Sequence, residues 1–102
     1  MTSETAFANE VLAWARKFGW RAFHVRNSGY AGKSYVQGDR GFPDLVMVKD
    51  DRMICAELKI AKKKPTGDQI AWLTALTSIG GVEVYTWWPS DLEAIIKRLR
   101  KA

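Results

Sequence analysis

The chain has one cysteine, one histidine and no long apolar run, and each shortage excludes a class of protein or site. With Cys55 alone, an internal disulfide and a thiolate-cluster zinc site are excluded, and we expect a buried, inert thiol. His24 has no second histidine to complete a familiar metal site, so we expect a packed strand residue. No apolar run approaches the ~18 residues that span a bilayer, and MTSETAFANE lacks the pattern of a secretory signal. We therefore predict one domain, residues 1–102, in a reducing cytoplasm and without a membrane partner.

Basic and apolar side chains are what the chain has in abundance. Sixteen lysines and arginines stand against eleven aspartates and glutamates, which gives a net charge of +5 and a pI near 9.6. This charge favours a polyanionic partner, although many small basic proteins bind none. An apolar fraction of 47% with five tryptophans argues against disorder.

The apolar pattern predicts the element order α-β-β-β-α-β-α. The expected elements are a helix from Thr2 or Ser3 to about Phe18, a strand over 20–26, a glycine-rich connection over 27–41, paired strands over 43–49 and 52–60, a helix from about Gly67 to Ile79, a strand at VEVYTWW and a last helix opened by a capping box, SDLE, at 90–93. The paired strands are so rich in Val, Ile, Leu and Met that both their faces are predicted to be buried. We predict an α/β fold with a mixed sheet flanked by helices.

The predicted hairpin at 41–60, GFPDLVMVKDDRMICAELKI, carries three charged side chains in a segment that otherwise suits a sheet core. A turn of two or four residues at its tip places Asp44 opposite Glu57, with Lys59 on the same face. Like charges directly opposed destabilise a sheet, so stability alone would not select this pair. A turn of three or five residues would shift the register by one and separate the three groups.

Paired carboxylates at this separation can bind a divalent cation, which offsets their repulsion. Such a cation lowers the pKa of a bound water and neutralises a phosphate, and Lys59 can orient or deprotonate that water. The alternative is that Asp44 is a turn residue and that Glu57 and Lys59 form a surface pair. The side chains that continue the same face are apolar: Val46, Val48, Met53 and Cys55. This stripe favours the metal site.

The same residues resemble a known nuclease motif. Pro43-Asp44 followed by Glu57-Leu58-Lys59 is similar to the PD-(D/E)xK motif, and GFPDL at 41–45 with Gln69 in the next helix resembles the virus-type replication-repair nuclease (VRR-NUC) family more closely. The resemblance implies a restriction-endonuclease-like fold and a DNA endonuclease that requires Mg²⁺ or Mn²⁺. It further implies a homodimer that acts on branched DNA such as Holliday junctions in DNA repair, in a bacterial or phage-infected cell, without a small-molecule cofactor.

The resemblance assigns roles to the hairpin residues. Asp44 and Glu57 would be metal ligands, together with the backbone carbonyl of Leu58. Lys59 would be the catalytic lysine.

Two helical residues have weaker assignments. Glu10 matches the first-helix acid that many superfamily members use in catalysis and metal binding, although a glutamate on a helix flank is often only solvated. Gln69 matches a glutamine that acts near the site in the family. It also completes a capping box, Thr66-Gly67-Asp68-Gln69, in which it serves the Thr66 backbone.

Basic and aromatic residues border the proposed site and are candidates for DNA binding. One group follows the hairpin: Lys62, Lys63 and Lys64. The other flanks or occupies the glycine-rich connection: Arg26, Tyr30, Lys33, Tyr35 and Arg40. Such cations contact phosphates and such tyrosines stack on exposed bases, whereas the alternative is a solvated surface.

A structure-selective, metal-dependent DNA endonuclease is therefore the predicted function, and two alternatives stay open. A non-catalytic DNA-binding module of the same fold is disfavoured by the intact set of Asp44, Glu57 and Lys59. A sequence-specific restriction or homing-type endonuclease is disfavoured because 102 residues leave little chain for reading bases.

Overall fold

A computed structural model describes residues 2–25, 29–30, 33–34 and 38–101, the two short central ranges by their backbone only. Its elements are α1 Glu4–Lys17, β1 Arg21–His24, β2 Gly29–Tyr30, β3 Lys33–Ser34, β4 Leu45–Lys49, β5 Arg52–Leu58, α2 Gly67–Thr77, β6 Val82–Trp87 and α3 Leu92–Arg100. The predicted order is confirmed for the helices and the four longer strands. The short pair of β2 and β3 was not predicted. None of the described helices is long and apolar enough to cross a membrane.

The main sheet has the strand order β1-β4-β5-β6. The first two pairings are antiparallel and the pairing of β5 with β6 is parallel, so the sheet is mixed as predicted. In the hairpin of β4 and β5, Leu45 pairs with Ala56 and Lys49 pairs with Arg52. A two-residue turn joins the strands, with Asp50 at a φ of 54°. This φ lies in the left-handed region that tight hairpin turns use. The turn length and the observed pairing confirm the predicted register.

One face of the sheet packs against α1 and α3 and forms the core. The largest buried apolar side chains come from both helices and from β4 and β5: Phe7, Val11, Leu45, Met47, Ile54, Leu58, Ile95 and Leu99. The hydroxyl of Ser3 caps α1 by accepting a 3.0 Å hydrogen bond from the Ala6 amide, and Gly19 follows the helix at a φ of 89°. The predicted first helix is therefore confirmed.

The other face of the sheet is only partly covered. The prediction that both faces of the paired strands are buried is confirmed for β5, where residues 54–58 are all buried, and is wrong for β4. Val48 is 42% exposed, and Phe23, which pairs with Val46, is 66% exposed. Cys55 on β5 is buried as expected, and its burial raises the pKa of the thiol. Because α2 packs on β6, the side chains on this face are less buried on β4 and β1, which lie farther from α2.

The last helix begins differently from the prediction. Residues Pro89–Asp91 form a 3-10 turn, and α3 follows from Leu92. The Asp91 carboxylate accepts a 2.9 Å hydrogen bond from the Trp88 amide, whereas no side-chain cap opens α3. The predicted capping box at 90–93 is therefore wrong, because Asp91 caps the short turn that precedes the helix.

Arg52 joins the turn end of the hairpin to β6 and α3. Its guanidinium pairs with both oxygens of Glu83 at 2.8 and 3.0 Å and donates to the carbonyl oxygens of Arg98 and Lys101. It also lies 4.8 Å from the centre of the Trp20 ring. The hydrogen bond from Arg52 lowers the pKa of Glu83. This end of the sheet is thus held by charge pairing.

Candidate active site

Asp44 immediately precedes β4 and is held through its backbone. The Val25 amide donates a 2.7 Å hydrogen bond to the carbonyl oxygen of Asp44. Gly41, at a φ of 95°, lies against the first turn of α2, where an added Cβ would come within 2.5 Å of the Asp68 carbonyl carbon. Only glycine suits both the conformation and the contact. The hairpin and α2 therefore meet just before the candidate catalytic acid.

The structure brings Asp44 and Glu57 together at the open end of the hairpin. Asp44 Oδ2 accepts a 2.8 Å hydrogen bond from the amide of Leu58. This bond holds the Asp44 carboxylate beside the neighbouring residue on β5, Glu57. The two carboxyl groups are close enough for charge repulsion and proton sharing to alter the pKa of Glu57.

Glu57 is the buried member of the pair, at 1% exposure. Its Oε2 lies 3.3 Å from Lys59 Nζ, and its Oε1 is buried without a hydrogen-bond partner in the described part of the chain. Burial, with a further contribution from the charge of Asp44, raises the pKa of Glu57 to about 7, and Lys59 offsets only part of this. The ionised carboxylate therefore lacks positive charge on its Oε1 side.

Lys59 lies just after β5 and stays on the face of Glu57. Its amide donates a 2.9 Å hydrogen bond to the Trp87 carbonyl, which extends the pairing of β5 with β6 by one residue. The alternating direction of strand side chains then places Lys59 beside Glu57. At 13% exposure, its side chain is largely buried. The ammonium group is therefore held within the site.

This donor set fits a hard divalent cation. Carboxylate oxygens are preferred ligands of Mg²⁺ and Mn²⁺. Oε1 of Glu57, which has no hydrogen-bond partner among the described residues, is available to bind such a cation. Across residues 2–25 and 38–101, no three acidic, histidine or cysteine side chains form a metal-binding group. Glu10 is exposed on α1 and does not complete such a group with Asp44 and Glu57. Its catalytic and metal-binding roles stay predictions.

Gln69 caps α2, as one interpretation of the sequence predicted. Its Oε1 accepts a 2.8 Å hydrogen bond from the Thr66 amide, and Thr66 Oγ1 accepts one of 3.3 Å from the Gln69 amide. The capping box is confirmed. A further role for Gln69 in the site stays a prediction.

The candidate DNA-binding residues are described only in part. Lys62, Lys63 and Lys64 are exposed after β5, where the Lys63 carbonyl accepts a 2.9 Å hydrogen bond from the Trp88 indole. Arg40 is exposed in the segment that leads to the hairpin. Outside the described residues lie Arg26 and Tyr35, and the side chains of Tyr30 and Lys33.

Sequence reasoning missed an aromatic contact beside the site. The rings of Phe42 and Trp72 meet edge to face, with centroids 4.9 Å apart. The Trp72 indole also donates a 3.1 Å hydrogen bond to the Asp39 carbonyl. The sequence does show an aromatic residue inside GFPDL and a tryptophan one turn after Asp68 on α2. It does not show that the two rings meet, because their contact depends on tertiary packing.

Comparisons with known proteins identify the class of fold. The architecture is that of a restriction-endonuclease-like α/β domain. Archaeoglobus fulgidus Hjc, a Holliday junction resolvase from an archaeal hyperthermophile, has a similar structure, with a TM-score of 0.57 over 83% of this chain and 69% of that chain. The two sequences are 21% identical, so the likeness shows the fold. No family model matches the chain, and no curated protein matches it.

Proposed function

We propose that this protein is a divalent-metal-dependent endonuclease that hydrolyses phosphodiester bonds in branched DNA such as Holliday junctions. One observation carries the proposal: the buried Glu57 has one oxygen without a partner among the described residues, with Asp44 beside it and Lys59 on its other oxygen. A buried carboxylate oxygen that lacks a partner does not stabilise the fold, whereas a bound cation would supply the positive charge that this carboxylate lacks. The fold shared with a Holliday junction resolvase supports DNA as the substrate. Membership of the VRR-NUC family is part of the same proposal.

Each hairpin residue has a specific role in this proposal. Asp44 and Glu57 would hold Mg²⁺ or Mn²⁺ with their carboxylates, and the Leu58 carbonyl would be a third ligand. When bound, the cation neutralises phosphate charge and acidifies a water. Lys59 holds the Oε2 side of Glu57, so Oε1 is left for the cation. Its ammonium group also stabilises negative charge that develops on the phosphate.

The remaining candidates act around this centre. Lys62, Lys63 and Lys64 contact phosphates, as do Arg26, Lys33 and Arg40, and Tyr30 and Tyr35 stack on bases. Glu10 supplies a further carboxylate, and Gln69 has an amide nitrogen free for the site because its Oε1 serves the helix cap. We further propose a homodimer, since two related active sites suit a symmetric junction.

A cleavage panel tests the proposal. The wild type is incubated with four-way junctions, flaps, splayed arms and linear duplex of unrelated sequences, with Mg²⁺, with Mn²⁺ and with a chelator. We expect metal-dependent cutting of branched DNA whatever its sequence. Asp44→Asn should slow cutting by about 100-fold or more, whereas the control Asp51→Asn, an exposed acid in the hairpin turn, should cut normally.

Each other outcome has a clear meaning. Cutting in the chelator, or by Asp44→Asn at the wild-type rate, contradicts the proposed site. Cutting of a single linear sequence indicates a restriction or homing-type enzyme. Tight binding of branched DNA without cutting in either metal indicates a non-catalytic module.

A further inference from the structure

A cleft of about 510 Å³ lies between α2 and the segment that leads to Asp44. Within the described part of the chain it is lined by Asp39, Arg40, Asp68, Ala71, Trp72 and Ala75. This volume falls in the range of about 300–1,000 Å³ that is usual for small-ligand sites. Because Gly41 lies against the backbone of Asp68, the cleft adjoins the hairpin entry and hence the candidate active site.

Trp72 forms a fixed aromatic wall of this cleft. The edge-to-face contact with Phe42 and the hydrogen bond to the Asp39 carbonyl together hold the indole in place. Since the indole N–H is already donated, the ring surface is what Trp72 presents to a ligand. Ala71 and Ala75 have small side chains next to the ring on α2, so the space beside it stays open. A flat aromatic ligand fits this space.

The polar side chains of the cleft select among flat ligands. The carboxylates of Asp39 and Asp68 are acceptors only, and the Arg40 guanidinium is a donor only. Among the described lining residues, two acids and one base give a net negative charge, which disfavours a run of phosphates. Carboxylates instead accept hydrogen bonds from amino and imino groups, and Arg40 can pair with a single phosphate. A nucleobase with its own phosphate matches this set.

We infer that the cleft binds one unpaired nucleobase of the DNA substrate, stacked on Trp72 with its N–H donor groups towards Asp39 and Asp68. This inference rests on the proposed action on branched DNA. Stacking on an aromatic side chain accepts any base, and a base that is already unpaired at a branch point is the easiest to extrude. The cleft therefore favours branch points that contain unpaired nucleotides over fully paired duplex.

Filling the cleft tests this inference without removing any contact of Trp72. Ala71→Leu and Ala75→Leu add bulk at two exposed positions of α2, and leucine is a good helix former. Thr74→Leu is the matched control, because Thr74 is exposed on the same helix and does not line the cleft. Circular dichroism and thermal melting verify that each variant is folded.

The measurement is fluorescence anisotropy without divalent metal on two splayed-arm DNAs of equal charge. One DNA has normal unpaired nucleotides at the branch, and the other has abasic sites at those positions. The wild type and Thr74→Leu should bind the normal DNA about 10-fold more tightly than the abasic DNA. Ala71→Leu and Ala75→Leu should bind both DNAs with equal affinity.

Failure of this inference can be told from failure of the proposed function. Equal affinity of the wild type for both DNAs, or a preference that both filling variants retain, overturns the cleft assignment even if the protein cuts DNA. A preference lost in the filling variants supports the cleft even if the wild type cuts nothing in Mg²⁺ or Mn²⁺, in which case the nuclease proposal alone fails. Absence of binding to either DNA overturns both.

Discussion

Replacing Glu57 by glutamine should stabilise the metal-free protein at neutral and alkaline pH. The raised pKa means that the fold prefers the protonated carboxyl group, so the contribution of Glu57 is full below its unfolded pKa and is lost as the pH rises through about 7. A shift from 4.5 to about 7, at about 1.36 kcal/mol per unit, corresponds to about 3 kcal/mol. Glutamine does not ionise, and its amide can donate to Asp44, so the variant avoids this loss.

The assay is urea unfolding of wild type and Glu57→Gln in a chelator at a series of pH values. The difference in unfolding free energy should favour the variant, grow between about pH 4.5 and 7, and level off near 3 kcal/mol. Taking the difference at each pH removes the titration of groups that both proteins share.

Glu83→Gln is the matched control, because it makes the same change on the neighbouring strand with the opposite expectation. Arg52 lowers the pKa of Glu83, so the ionised group stabilises the fold above its unfolded pKa and this contribution is lost as the pH falls through the folded pKa. Glu83→Gln should therefore be less stable than wild type at neutral pH. A Glu57→Gln variant that is also less stable there, or a difference that does not change with pH, would refute the reasoning.

Three further predictions concern DNA binding, the hairpin entry and the oligomer. Alanine at Lys62, Lys63 and Lys64 should flatten the slope of log affinity against log salt by about 2.7, since each phosphate contact contributes about 0.9, and an unchanged slope in anisotropy titrations would remove these lysines from the interface. Gly41→Ala should lower the unfolding free energy by about 2 kcal/mol, because its Cβ meets the Asp68 backbone at a positive φ, and wild-type stability in urea would contradict the contact. Light scattering at micromolar concentration should report a dimer, and a monomer that cuts junctions fully would contradict the dimer proposal.

The hairpin could be predicted from sequence because its determinants are local. Asp50 and Asp51 mark a tight turn, and the period of strand side chains then places Asp44, Glu57 and Lys59 on one face. The cap formed by Thr66 and Gln69 is equally local, since its partners are three positions apart.

The exposure of the sheet could not be predicted, because it depends on where the helices pack. Val48 has a strand sequence that suits a buried position, yet α2 packs on β6, and Val48 is 42% exposed. The start of α3 could not be predicted either, because Asp91 accepts its hydrogen bond from the Trp88 amide in the 3-10 turn that precedes the helix, and no side chain caps α3 itself. The contact of Trp72 with Phe42 and Asp39 joins residues about 30 positions apart, and no periodic pattern encodes it.

The most direct test of the account is whether Asp44 and Glu57 bind a divalent cation in the absence of DNA. Unfolding free energies of the wild type, Asp44→Asn and Glu57→Gln are measured over a titration with Mn²⁺ and with Mg²⁺. At about 100 times the dissociation constant, the cation should stabilise the wild type by about 2.7 kcal/mol and leave both variants unchanged. A wild type that neither cation stabilises, or an Asp44→Asn variant stabilised as strongly as the wild type, would contradict the metal site.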